Sequence, residues 1–172
     1  MKKYIISIAV LALITVCLVP LTQKIDRVLE GVEYRIGDST YEEHRRIEIR
    51  GQYRRYLLKN NTFEGEITIE GYDFSDKSPK VMFEVHDGYA SFTYFGMEGV
   101  APYLNTLGTI SFANNFKQVL ICVSEPIEAG SKTWSSENGL FIVAPTTNRE
   151  EALVLAKKLS QKTEWMAKID WK

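Results

Sequence analysis

Only two histidines, His44 and His86, and two cysteines, Cys17 and Cys122, occur in the 172 residues, so side chains that commonly begin catalysis near neutral pH are scarce. A Ser or Cys nucleophile needs a base beside it, and the chain has neither a Gly-x-Ser-x-Gly elbow nor a Cys/His cluster at metal-ligand spacing. His86 adjoins Asp87, which on paper is an acid/base pair. Asp87-Gly88, however, reads as a tight turn in which the aspartate serves backbone geometry. Cys122 lies in the apolar stretch "QVLICVSE", where a free thiol behaves as a small hydrophobe. Asp73 and Asp76 in "YDFSDKSP" are too sparse for a calcium loop. No catalytic residue, no metal and no cofactor is expected.

The basic run "RRIEIRGQYRRYLLK" is more suggestive. Arg45, Arg46, Arg50, Arg54, Arg55 and Lys59 stand there against one acid, Glu48. Guanidinium groups suit bidentate contact with phosphate, so Arg50, Arg54 and Arg55 are the candidate binding residues for an anionic ligand, either phospholipid head groups or anionic wall polymers. The competing reading puts these charges on the solvent side of an edge strand, with Glu64, Glu66 and Glu70 as cross-strand partners. The whole chain, with 21 basic and 22 acidic residues, has a net charge of -1, which excludes a general attraction to nucleic acid. In "PTTNREE" a helix start could hold an anion, but Glu150 and Glu151 oppose one. The aromatic residues read as core, with Trp134 in "SKTWSSENG" the one exposed exception expected.

The first element is the start of the chain. Lys2 and Lys3 precede an uncharged run from Tyr4 to Leu21, which as a helix would reach roughly 27 Å, close to the hydrocarbon thickness of a bilayer. Cleavage as a signal peptide calls for small residues before the cut, and "VCLVPLTQ" has no Ala-x-Ala pattern. Acylation of Cys17 calls for a small residue before it, and Val16 is bulky. The pattern favours an uncleaved single-pass anchor over residues 1–23, with the lipoprotein and the cleaved signal as alternatives. In each case residues 24–172 form a domain outside the cytoplasm. Residues 22–27, "TQKIDR", read as a short polar connector.

Beyond it the pattern is mostly strands. "FEGEITIE" alternates Phe63, Gly65, Ile67 and Ile69 with polar neighbours, so the odd positions face a core. Around Asp87-Gly88 a two-residue hairpin sets Val81, Phe83 and Val85 on one face with Ala90, Phe92 and Tyr94. "RRIEIRGQYRRYLL" reads as a long strand interrupted at Gly51, with Ile47 and Ile49 inward. "GTISF", "QVLICV" and "GLFIVA" are further strands, the last two apolar enough to be central. Then the period changes: Thr147 with Glu150 suggests a capping box, and Ala152, Leu155, Ala156 and Leu159 share one helical face. The tail "TEWMAKIDWK" fits a final strand or a continued helix. The fold class expected is mainly β (α+β): about eight or nine antiparallel strands in a curled sheet or sandwich, with one packed C-terminal helix.

At "GQYRRYLLKNNTFEGEITIEGYDF" and "GLFIVAPTTNREEALVLAKKL" the chain resembles a loose group of small exported proteins of Gram-positive bacteria that have an amino-terminal hydrophobic anchor and a strand-rich outer domain. That resemblance implies a membrane-tethered exported protein and supplies no catalytic residues. The expected function is therefore a non-enzymatic binding or accessory module at the cell surface, contacting an envelope protein or anionic polymer. The alternatives are an envelope enzyme whose acids, such as Glu84 and Asp87, assemble in three dimensions, and an immunity-type protective protein.

Overall fold

The computed structural model describes residues 19–72, 80–98, 101–127 and 130–171. Among them ten strands form: β1 (Leu21–Arg35), β2 (Asp38–Arg55), β3 (Asn61–Ile69), β4 (Lys80–Val85), β5 (Tyr89–Glu98), β6 (Ala101–Ala113), β7 (Gln118–Val123), the short β8 (Glu125–Pro126) and β9 (Lys132–Thr133), and β10 (Leu140–Ala144). Helix α1 (Arg149–Ser160) and a 3-10 turn (Met166–Lys168) follow. Eight strands close into an antiparallel barrel in the order β1-β10-β7-β6-β5-β4-β3-β2. The expected strand-rich class with one C-terminal helix is what forms, and the curled sheet closes fully.

Period-two alternation explains the interior. Ile47, Ile49 and Tyr53 of β2 lie opposite Ile69, Ile67 and Phe63 of β3, and all six are buried in the barrel. Asp87 (φ 48) and Gly88 (φ 85) make the tight turn between β4 and β5, so Val81 and Phe83 pack inward with Ala90, Phe92 and Tyr94. The β6–β7 turn uses three successive left-handed residues, Asn114, Asn115 and Phe116, with φ of 52, 56 and 59. This coil folds Phe116 back into the barrel, where its ring stacks 3.8 Å from Phe112 and lies 4.8 Å from Phe63. Aromatic side chains thus fill this end of the barrel.

The break expected at Gly51 does not occur, because β2 runs unbroken through it. Gly51 pairs directly with Gly65. A Cβ at Gly65 would lie 2.2 Å from the carbonyl oxygen of Arg50 and 2.6 Å from the Gly51 Cα. Two facing residues without side chains let the strands approach and bend inward, which is how a sheet turns a barrel corner. β2 is also no edge strand, being paired with β1 and β3. It ends at Arg55, and residues 56–60 form the loop to β3.

β7 and β10 are apolar on both faces because both faces are covered. Val119, Ile121, Val123, Leu140 and Ile142 fill the barrel, while Leu120, Cys122, Phe141 and Val143 point outward beneath Ala152, Leu155, Ala156 and Leu159 of α1. The four helix residues expected on one face are the ones that pack. The cap sits one residue later than expected. Asn148 is the N-cap, its Oδ1 accepting from the Glu151 N–H at 2.9 Å, while the Thr147 N–H and hydroxyl donate to the Glu151 carboxylate at 2.9 and 3.0 Å. The tail is neither strand nor continued helix but a turn and the short 3-10 segment. Residues 22–27, expected as a connector, are already part of β1, whose pairing with β2 begins at Leu21 and Arg55.

Of the anchor expected over residues 1–23, residues 1–18 with Cys17 lie outside the described residues, as do Asp73 and Asp76, while Leu21–Gln23 belong to β1 because they pair with Arg55, Arg54 and Tyr53 of β2. Among the described residues no helix is long and apolar enough to cross a membrane.

Candidate functional site

Strand direction gives the barrel two distinct ends. One, the rim, carries the start of β1, the β2–β3 loop and the β4–β5 and β6–β7 turns. The other carries the β1–β2 turn and the β7–β10 connection.

At the end away from the rim, β1 points Glu33 into the barrel, across from Ile142 of β10. The side chain is only 2% exposed. Its two oxygens accept from Arg45 Nε at 3.0 Å and Nη2 at 2.9 Å, from the Tyr41 hydroxyl at 2.5 Å and from the Tyr72 hydroxyl at 2.6 Å. Burial pushes the Glu33 pKa upward, but hydrogen bonds from Arg45, Tyr41 and Tyr72 and the Arg45 charge outweigh it and hold the carboxyl below its ordinary value. Burial and then the bond to Glu33 push the Tyr41 hydroxyl up to about 12. The Tyr72 hydroxyl is raised by the same two causes. Arg45 also touches Glu43. A carboxylate held ionised by four donors is a poor general acid or base, so this cluster secures the barrel end. Glu33 was not legible as special in sequence; the one signal was an acid in the inward row of β1 after Leu29 and Gly31.

The three candidate arginines do not form one site. Arg50 and Arg54 share the outer face of β2, and Arg55 belongs to the opposite row. Arg50 Nη2 bonds Glu48 at 2.8 Å, with Asp26 at 3.8 Å, and Arg54 Nη1 bonds Glu64 at 2.8 Å. Arg46 pairs with Glu48 at 3.1 Å. Arg55 is exposed at the rim, and among the described residues no salt bridge holds it or Lys59.

The outer wall of β2–β5 holds a groove of about 500 Å³ over the Gly51/Gly65 corner. Gln52, Arg54, Glu64, Glu66 and Lys80 supply its polar sides, and exposed Met82 and Phe95 its apolar surface. Next to it, Glu84 and His86 lie 3.7 Å apart, both exposed, and the His86 Nδ1 is 3.0 Å from the Asn60 amide. Asp87 is occupied as a turn residue, its carbonyl accepting from the Thr163 hydroxyl at 3.3 Å. Among the described residues no group of three His, Cys, Asp or Glu could hold a metal. Cys122 is buried, and burial pushes its thiol well up. Trp134 packs edge-on against Phe141 at 5.4 Å and Trp165 at 5.6 Å, so it is a wall residue and not a free platform.

The rim itself was missed. Its β2–β3 loop, Tyr56–Asn60, presents Leu57 and Leu58 to solvent at 67% and 74% exposure, beside exposed Val19 and Leu21. A signal was available in "RYLLK": two adjacent leucines break strand alternation between basic residues.

The fold and surface thus define an eight-stranded up-and-down antiparallel barrel, its interior occupied by side chains, with a helix on one wall. No family model, no curated protein and no solved structure matches the chain.

Proposed function

We propose that the chain is a membrane-tethered extracytoplasmic module that works by binding an envelope protein through its outer wall, without catalysis of its own. The observation that carries this reading is the groove across Gly51 and Gly65. It combines exposed Met82 and Phe95 with charges of both signs, Arg54 and Lys80 against Glu64 and Glu66. Methionine, aromatic residues and arginine are the types enriched at protein interfaces, and balanced charge favours a protein surface over a polyanion. The barrel interior is filled, so a ligand is met from outside. The tether reading rests on the uncharged run that ends at Leu21, and the polar rim charges fit a surface close to a bilayer.

The test is site-specific photocrosslinking in whole cells, with the photoreactive residue at Met82 or Phe95 of the full chain and a control at Val154, exposed on α1. A discrete adduct from the groove positions, abolished by Lys80→Glu and absent from Val154, supports the reading. Equal labelling at all three positions, or none at the groove, removes it. The anionic-polymer alternative makes a different demand: Arg50, Arg54 and Arg55 changed to Gln should then weaken salt-sensitive retention on polyanionic wall polymer.

A further inference from the structure

We infer that the β2–β3 loop is a second membrane contact, with Leu57 and Leu58 entering the head-group/acyl boundary of an anionic bilayer while Arg55 and Lys59 meet its phosphates. This rests on the tether reading above for where the bilayer lies.

Three observations converge on that occupant. First, the leucines are held out at the loop tip. The Tyr56 N–H donates to Asn61 Oδ1 at 2.9 Å across the base of the loop, which closes it and leaves both side chains more than two-thirds exposed. Second, the described chain begins at this rim, with Val19 and Leu21. Leu21 pairs with Arg55 at the end of the β1–β2 ladder, and Val19, Leu21, Arg55, Tyr56, Leu57 and Asn61 line one cleft of about 360 Å³. The uncharged run ends at Leu21, so a span entering the bilayer here sets the loop tip beside the lipid surface. Third, the charges complement anionic lipid. Arg45, Arg50 and Arg54 are tied to carboxylates, but among the described residues Arg55 and Lys59 have no salt bridge. Lys59 Nζ sits 4.0 Å from the centre of the Tyr56 ring, a pairing of the kind that favours the head-group region. The β6–β7 turn on the same rim adds exposed Lys117, and the acid among these turns is Asp87. The opposite end instead displays Asp38, Glu42 and Glu43. Apolar side chains flanked by cations are the pattern of an interfacial anchor.

The experiment uses the full chain with Cys17→Ser, labelled with an environment-sensitive dye at Leu58→Cys, in vesicles of phosphatidylcholine and phosphatidylglycerol containing brominated lipid. The control is Leu104→Cys, exposed on the outer wall toward the other end. The expected result is quenching at position 58 at least several-fold that at 104, reduced to the control level by Arg55→Gln with Lys59→Gln, and weaker in phosphatidylcholine alone. Equal quenching at 58 and 104 overturns the proposal. So does a dye signal at 58 that grows with protein-to-lipid ratio and shows self-quenching, which would make the loop a contact between copies of the chain. Alkaline carbonate extraction reads the tether separately. A chain retained in the membrane with position 58 unquenched leaves the tether and removes the loop contact, whereas a chain released by carbonate but quenched at 58 beforehand does the reverse.

Discussion

Replacing Arg45 with Met removes the cation from the Glu33 carboxylate and leaves that carboxylate inside the barrel with, among the described residues, two tyrosine hydroxyls. Breaking a buried ion pair in this one-sided way typically costs about 3–5 kcal/mol. The Arg45 side chain is 16% exposed and the hydroxyl bonds remain, so we expect the lower end, about 3 kcal/mol. Glu33→Gln should cost less, about 1–2 kcal/mol, because Arg45 keeps Glu43 as a partner. The double variant should be less damaged than the sum by about 2 kcal/mol, since the second change removes the charge that the first left unpaired. The assay is urea unfolding of the full chain in detergent micelles, followed by the fluorescence of Trp134, Trp165 and Trp171. The pH dependence has a definite sign. The Glu33 pKa is lowered in the folded state, so its contribution is complete above the ordinary value of 4.5 and fades as pH falls through the lower folded value. In Arg45→Met the Arg45 bond and charge that lower the pKa are gone while burial remains, so the folded pKa moves up and that variant loses less stability than the wild type as the carboxyl takes a proton. The gap between the two proteins should therefore close on acidification. An Arg45→Met effect below about 1 kcal/mol, or a gap that stays constant down to acid pH, would refute the reasoning.

Three further outcomes follow from the packing. Gly65→Ala sets a methyl 2.2 Å from the Arg50 carbonyl and should destabilise by about 2 kcal/mol or more, whereas Thr68→Ala, on the exposed face of the same strand, should cost far less; similar midpoints in urea would sink the barrel-corner account. Leu159→Ala should cost about 2–5 kcal/mol by leaving a cavity between α1 and the wall, against a near-neutral Val154→Ala on the exposed face, compared by thermal unfolding. With Cys17→Ser present, Cys122 should resist maleimide in the folded protein and react fully in urea; rapid labelling without denaturant would show that α1 does not cover β7.

The particular residues show what was readable. Alternation in "FEGEITIE" and the turn residues Asp87 and Gly88 state their own geometry, because a period of two and a positive φ are local properties. The α1 stripe of Ala152, Leu155, Ala156 and Leu159 was readable for the same reason. Gly51 shows the other case. A lone glycine in a strand signals some backbone accommodation, and only Gly65 opposite it, found by closing the sheet, makes that accommodation a corner. Of the candidate arginines, sequence placed all three in one basic run, but pairing turned Arg50 and Arg54 to carboxylates on the wall and Arg55 to the rim.

By itself, then, the sequence determined the uncharged leading run, the strand-rich body, the hairpin register and the helix with its buried face, since each depends on neighbours a few residues apart. Tertiary structure alone decided that the sheet closes, that Glu33 meets Arg45, Tyr41 and Tyr72, and that Leu57 and Leu58 share a rim with Leu21. Those outcomes join residues distant in the chain, and which distant groups meet is set by strand order and shear, which no local pattern encodes.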